Sequence, residues 1–146
     1  MKTTLTPKAF GKFLLWSGGL AAALMLGAFV FISMRIGSAV RQISATAVQK
    51  HPGDRVEALM QYVEDTDHSF RDRNRAVWTL GQLGDRRALP VLRKYYKGGS
   101  CNHSEALCQR ELGKAIKLVN GGVNITAFVW RHSSATRAGG ATGVSR

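Results

Sequence analysis

The residues best equipped for chemistry lie in one short stretch, Cys101 to Cys108, "CNHSEALC". Two thiols flank an imidazole, His103. Three uses fit this set. A chain approaching a helix start can bring Cys101 and Cys108 within disulfide range, provided that the domain is exported to an oxidising compartment. Alternatively, Cys108 is a small core residue on an apolar helix face and Cys101 is free. In the third reading the pair ligates a metal. His68-Ser69 and His103-Ser104 fall in equivalent loops of the internal repeat described below, so His68, Cys101, His103 and Cys108 could form a Cys₂His₂ set. That spacing matches no standard zinc motif. It is not the C-x-x-C-H of covalent haem attachment.

Little else reads as chemistry. Glu64-Asp65-Thr66-Asp67 is acidic, but EF-hand spacing is absent and a solvated helix end accounts for it. His51 and His132 have no evident partners. Arg71, Asp72, Arg73 and Arg75 read as a charged helix start. Asn124-Ile125-Thr126 fits the N-glycosylation pattern, a three-residue match of little specificity. No nucleophile–base–orienter set can be assembled, and no glycine-rich phosphate loop follows a strand. The expectation is a non-enzyme with no cofactor and no small-molecule substrate.

The elements that must position these residues are helices. Val56, Leu59, Met60 and Val63 share one face of a segment from about Asp54 to Glu64. Ala76, Leu80 and Leu83 align over 71–83, and Ala88, Val91, Leu92, Tyr95 and Tyr96 over 86–96, where Pro90 sits early enough to bend rather than break. Ser104 is a suitable N-cap for a fourth helix to Val119, with Cys108, Leu112, Ala115, Ile116 and Val119 in its stripe. Gly121-Gly122 ends it. Shifting the sequence by 32 places Leu80-Gly81 on Leu112-Gly113; shifting by 33 places Leu59 and Tyr62 on Leu92 and Tyr95. Repeated helical hairpins with this period indicate an α-solenoid.

The stretch "DRNRAVWTLGQLGDRRALPVLRKYY" resembles a HEAT repeat of the short bacterial, phycobilisome-lyase-like type. Arg73, Ala76, Leu80-Gly81, Gly84-Asp85, Ala88-Leu89-Pro90 and Leu92 stand at that pattern's Arg, Ala, Leu-Gly, Gly-Asp, Ala-Leu-Pro and Leu. Asp72 replaces its Val, and the second repeat has Glu105 where the Arg belongs. The resemblance covers about 54–120. It implies a scaffold or binding surface rather than catalysis.

Residues 13–34, "FLLWSGGLAAALMLGAFVFISM", carry no charge over 22 positions. As a helix they span roughly 33 Å, enough for a bilayer core. Lys12 and Arg35 bracket them, and Trp16 suits a headgroup region. The run is longer than a cleaved signal peptide's, so an uncleaved anchor is expected. Net charge is +12, divided as +6 over 1–50, +2 over 51–98 and +4 over 99–146. Bases flank the span and fill the tail, which suits anionic lipid; the near-balanced middle argues against nucleic acid.

The expected organisation is all-α. A basic head (1–12) precedes a single transmembrane helix (13–34). A juxtamembrane helix and linker (35–53) follows, with Ile36, Val40, Ile43 and Ala47 at helical spacing before His51-Pro52-Gly53. About two HEAT-like hairpins (54–120) come next, then an irregular tail (121–146). Val123-Trp130 has strand-like alternation. Two repeats leave apolar ends open, to be covered by the 36–47 stripe, the tail or, as expected here, another protein. Trp78, Tyr95, Tyr96 and Trp130 are candidate interface anchors. The functional expectation is an accessory subunit of a bacterial inner-membrane complex, N-terminus cytoplasmic and C-terminal domain exported. The alternative is a small anchored metal- or cofactor-binding protein using Cys101, His103 and Cys108.

Overall fold

The computed structural model describes residues 7–102 and 106–138, with side chains for 16–102 and 106–131. Helix α1 runs unbroken from Pro7 to Lys50, a length of about 66 Å. Its two halves differ in surroundings. Trp16 is 81 % exposed and Phe31 67 %; by length and composition this helix could cross a membrane. From Ser33 onward one face is buried, through Gly37, Val40, Ser44 and Ala47. Two hydroxyls here are satisfied within the helix, as Ser33 Oγ donates to the Phe29 carbonyl and Thr46 Oγ1 to that of Gln42.

After α1 the chain turns at Gly53, where φ is 108°, a region that glycine enters without steric cost. Helix α2 (Arg55–Glu64) opens with a complete capping box: Asp54 accepts from the Val56 and Glu57 amides, and the Glu57 carboxylate accepts from the Asp54 amide. Helix α3 (Phe70–Leu83) is capped by Ser69 and ended by Gly84 in the left-handed conformation, φ 66°. The helix expected over 86–96 is divided. Asp85 caps a 3₁₀ turn at Arg86–Ala88, and α4 (Leu89–Tyr95) follows with Pro90 in its first turn, where no amide donor is needed.

Helix α5 (Gln109–Val119) begins later than the Ser104 cap predicts; Ser104 itself lies outside the described residues. Helix α6 (Ile125–Ala138) replaces the expected strand, and with it much of the expected irregular tail. The reason is local and tertiary at once. Asn124 Oδ1 accepts from the Ala127 amide and the Thr126 hydroxyl, which starts a helix. Helical winding then puts Ala127 and Trp130 on one face, against Val40 and Trp78.

The hairpins α2–α3 and α4–α5 stack with α3 on α5 and α2 on the 3₁₀ turn and α4. Leu59, Leu80, Leu92 and Leu112 are fully buried between them, each worth about 1.5–3 kcal/mol over an exposed position. Gly81 allows the close approach. A Cβ there would stand 2.8 Å from Ala115 Cα, so α3 and α5 touch backbone to side chain.

One end of this array is covered by the chain itself. The Ile43–Ala47 face of α1 packs on α2 and α3, and α6 packs on α1. At the other end the exposed side chains of α4 and α5 include Arg93, Lys94, Arg110, Lys114 and Lys117. One end is thus closed by the chain itself, through α1, one of the covers the sequence allowed; at the other, the exposed side chains are these bases and Tyr96.

Candidate functional site

Three places concentrate polar chemistry or accessible apolar surface. The first is the joint where α1, α2 and α3 meet. His51 follows the last residue of α1, Asp65 is the C-cap of α2, and His68 lies in the α2–α3 turn. Asp65 Oδ1 accepts from the Asp67 amide, which turns Oδ2 toward both imidazoles. His51 Nε2 is 3.6 Å from Asp65 Oδ2 and His68 Nε2 is 3.5 Å from it. Both Nε2 atoms are buried and make no hydrogen bond. Tyr62 stacks on His68 with centroids 3.8 Å apart and meets His51 edge-on. Burial pushes the Tyr62 hydroxyl pKa upward. This cluster escaped the sequence reading, which gave His51 no partner. Asp65 and His68 share the α2–α3 turn, three residues apart, and only the packing of α2 against α1 brings His51 to them.

The second place is the Cys101–Cys108 loop. The two cysteines are joined as a disulfide. Cys108 is buried at the N-cap of α5, and its amide donates to Asn74 Oδ1 on α3. Gln109 secures the same loop: its Oε1 accepts from the Lys97 amide and its Nε2 donates to the Tyr95 and Leu107 carbonyls. The four-residue metal set His68, Cys101, His103 and Cys108 is corrected here. Disulfide sulfurs are not thiolate ligands, His68 faces His51 and Asp65 instead, and His103 lies outside the described residues.

The third place is the exposed surface. Of the four interface candidates, Tyr96 is 46 % exposed. Tyr95 packs against the main core, under the Arg73 guanidinium. Trp78 lies beside the α1–α6 contact, and Trp130 is buried within it, pressed on Gly37. Trp130 is thus an internal anchor; helical winding turned it inward. Around the start of α6 the accessible apolar side chains are Val123, just before the helix, and Ile125 and Phe128 on its outer face. None of the three was singled out as an anchor, because strand alternation divided them between two faces.

Charged groups tie the repeat together. Arg73, almost fully buried, donates from Nε to the Val63 carbonyl at 2.8 Å and so closes the end of α2. Arg87 bridges hairpins, with Nη1 2.6 Å from Asp54 Oδ2 and Nη2 2.9 Å from Asp85 Oδ2. The Glu57 amide, then Arg87, holds the Asp54 carboxyl below the usual range; Arg87 alone does the same for Asp85. Arg131 of α6 donates from Nη2 to the Gln82 and Leu83 carbonyls, each 2.6 Å away, at the C-terminal end of α3. A cation there also meets the negative end of the helix dipole.

The joint Gly84-Asp85, the buried Arg73 and the close Gly81 are the features that the repeat resemblance rests on, and all three serve packing. The family model of the PBS lyase HEAT-like repeat matches residues 72–98. Neither a curated protein nor a solved structure matches the chain. Those residues take in most of α3, the Gly84-Asp85 joint and α4. The match thus spans one repeat unit, residues 72–98, and a second hairpin stacks on it as HEAT-like repeats do.

Proposed function

We propose that the protein is a non-catalytic, membrane-anchored HEAT-like scaffold that serves as an accessory or assembly subunit of a larger membrane complex. One observation carries the reading. The helix with the exposed apolar segment is the same helix whose later turns pack into the repeat core, with no linker between. Such a helix fixes the height and angle of the repeat above the bilayer, as a positioned docking surface requires. HEAT-like repeats are helical scaffolds and protein-interaction surfaces.

The proposed arrangement keeps the boundaries expected from the sequence. Residues 13–34 occupy the bilayer, 1–12 form a basic cytoplasmic head and 54–120 form an exported repeat domain in a bacterial inner membrane. The Cys101–Cys108 disulfide supports the exported side, because such bonds persist in oxidising compartments. The docking surface includes Tyr96 and the Val123, Ile125 and Phe128 patch.

The test is native purification of the tagged full-length protein from its own membranes in mild detergent, with wild type and Phe128→Glu compared. Subunits recovered in fixed stoichiometry with wild type and lost from the folded variant support the proposal. A lone, folded monomer in both preparations sinks it. Topology is read separately, by alkylation of an added cysteine at each end with a membrane-impermeant reagent.

A further inference from the structure

The joint of α1, α2 and α3 holds more polar chemistry than its packing needs. Two imidazole nitrogens approach the same carboxylate oxygen, at 3.5 and 3.6 Å. Both are beyond the usual N–H···O range of about 2.7–3.2 Å. Both are buried and without a hydrogen bond. Buried polar atoms in folded proteins are almost always satisfied, so a pair of unsatisfied atoms aimed at one point asks for an occupant. A sodium-like or hard divalent ion is a poor candidate, because such ions take all-oxygen shells. Two imidazoles and one carboxylate are the donors of a borderline transition ion.

We propose that His51, His68 and Asp65 form a zinc site. The three donor atoms lie within 4.8 Å of one another. Donors arranged tetrahedrally around zinc at about 2.0–2.1 Å stand roughly 3.3 Å apart. The two nitrogen–oxygen separations already come within a few tenths of an ångström of that value. Asp65 is held in place for the task, since its Oδ1 is fixed by the Asp67 amide and Oδ2 is left for the ion. Tyr62 stacked on His68 restricts the ring in the same way. Water fills the fourth position, entering beside Asp65, whose side chain is 28 % exposed.

The consequence is mechanical. His51 belongs to the end of the long apolar helix, and Asp65 and His68 belong to the first repeat joint. Zinc would staple one to the other and set the angle between helix and repeat. The inference stands apart from the scaffold reading, because metal binding by the isolated protein needs no partner.

The experiment uses full-length protein in detergent, stripped with a chelator and titrated with zinc against a chromophoric competitor. Cobalt(II) is used in parallel for its visible ligand-field absorption. Wild type is expected to take one zinc per chain, to show the intense absorption of four-coordinate cobalt, and to melt roughly 5 °C or more higher with excess zinc. His51→Ala and His68→Ala should each weaken zinc binding about 100-fold or more, and His132→Ala should leave it unchanged. Asp65→Asn keeps the side-chain shape and the Asp67 contact, so it reports on the site even where a histidine variant misfolds. It too should lose zinc and the cobalt spectrum. No zinc bound by wild type, or zinc retained by folded Asp65→Asn and His68→Ala, overturns the proposal. Co-purified partners without zinc would leave the scaffold reading standing and reject this one.

Discussion

The first hairpin and the second are built from the same repeat but hold themselves together differently. In the first, the sequence supplies its own punctuation: Asp54 with Glu57, Ser69 with Asp72, and Gly84 with Asp85. Every helix start is closed by a side chain a few residues away. The second hairpin has a local cap at Asp85 but borrows its later closures. The amide of Cys108, the cap residue of α5, is met by Asn74, 34 residues earlier, and the approaching loop is tied by Gln109 and the Cys101–Cys108 bond. Beyond it, α6 abandons the solenoid direction and returns to α1. A degenerate repeat thus keeps its place through non-local bonds, and its stability should depend on groups outside itself.

That contrast can be broken most severely at the return contact. Trp130→Ala removes a large buried side chain from between Gly37, Val40 and Trp78. It should cost about 3–5 kcal/mol, measured by denaturant unfolding of the full-length protein in detergent. An unchanged midpoint would show that α6 contributes nothing to the fold.

Next is the borrowed covalent closure. Cys101→Ser should cost about 2 kcal/mol for so short a loop. A reductant should lower the melting temperature of wild type and leave that of the variant unmoved. The two stacked glycines sharpen the comparison further. Gly81→Ala places a Cβ 2.8 Å from the Ala115 backbone and should lose about 1–2 kcal/mol. At the equivalent Gly113 the nearest atom is Tyr96 Cε2, 3.3 Å away on an exposed ring that can move. Gly113→Ala should be near neutral or slightly stabilising, because alanine gains up to about 1 kcal/mol of helix propensity. Equal losses at both positions would contradict the asymmetry.

The smallest effect is in acid. Asp54 and Asp85 have lowered carboxyl pKa values in the folded state, through the Glu57 amide and Arg87. Their contribution is therefore complete above the ordinary aspartate pKa of about 3.9 and is lost as pH falls below it through the folded values. In melts below that pH, Arg87→Gln should show a shallower decline than wild type. A parallel decline would mean that the Arg87 bridge is screened to insignificance.

Much of the first hairpin is legible in the sequence. Helical spacing, Gly84-Asp85 and Leu80-Gly81 are local signals, and they give α2, α3 and the joint. The early Pro90 was legible as a bend, but not as a 3₁₀ turn before a shorter helix. The later part was misread because its signals are ambiguous alone. Val123-Trp130 alternates as a strand does, and only a helix cap at Asn124 and a groove on α1 decide otherwise. The His51–Asp65–His68 cluster was only half written in spacing: Asp65 and His68 stand three residues apart in one turn, but His51 reaches them only through packing.

By itself, then, the sequence determined the class of element and the character of each surface. A charge-free run long enough to cross a bilayer, amphipathic helices of the right period and the repeat joint are properties of neighbouring residues. Tertiary structure decided which faces meet. It closed one end of the repeat with α1, turned Trp130 inward, left Phe128 outside and aimed two imidazoles at one carboxylate. The physical reason is that backbone and capping preferences act over a few residues. Burial of apolar area and the pairing of buried polar groups are settled only when distant segments compete for the same space.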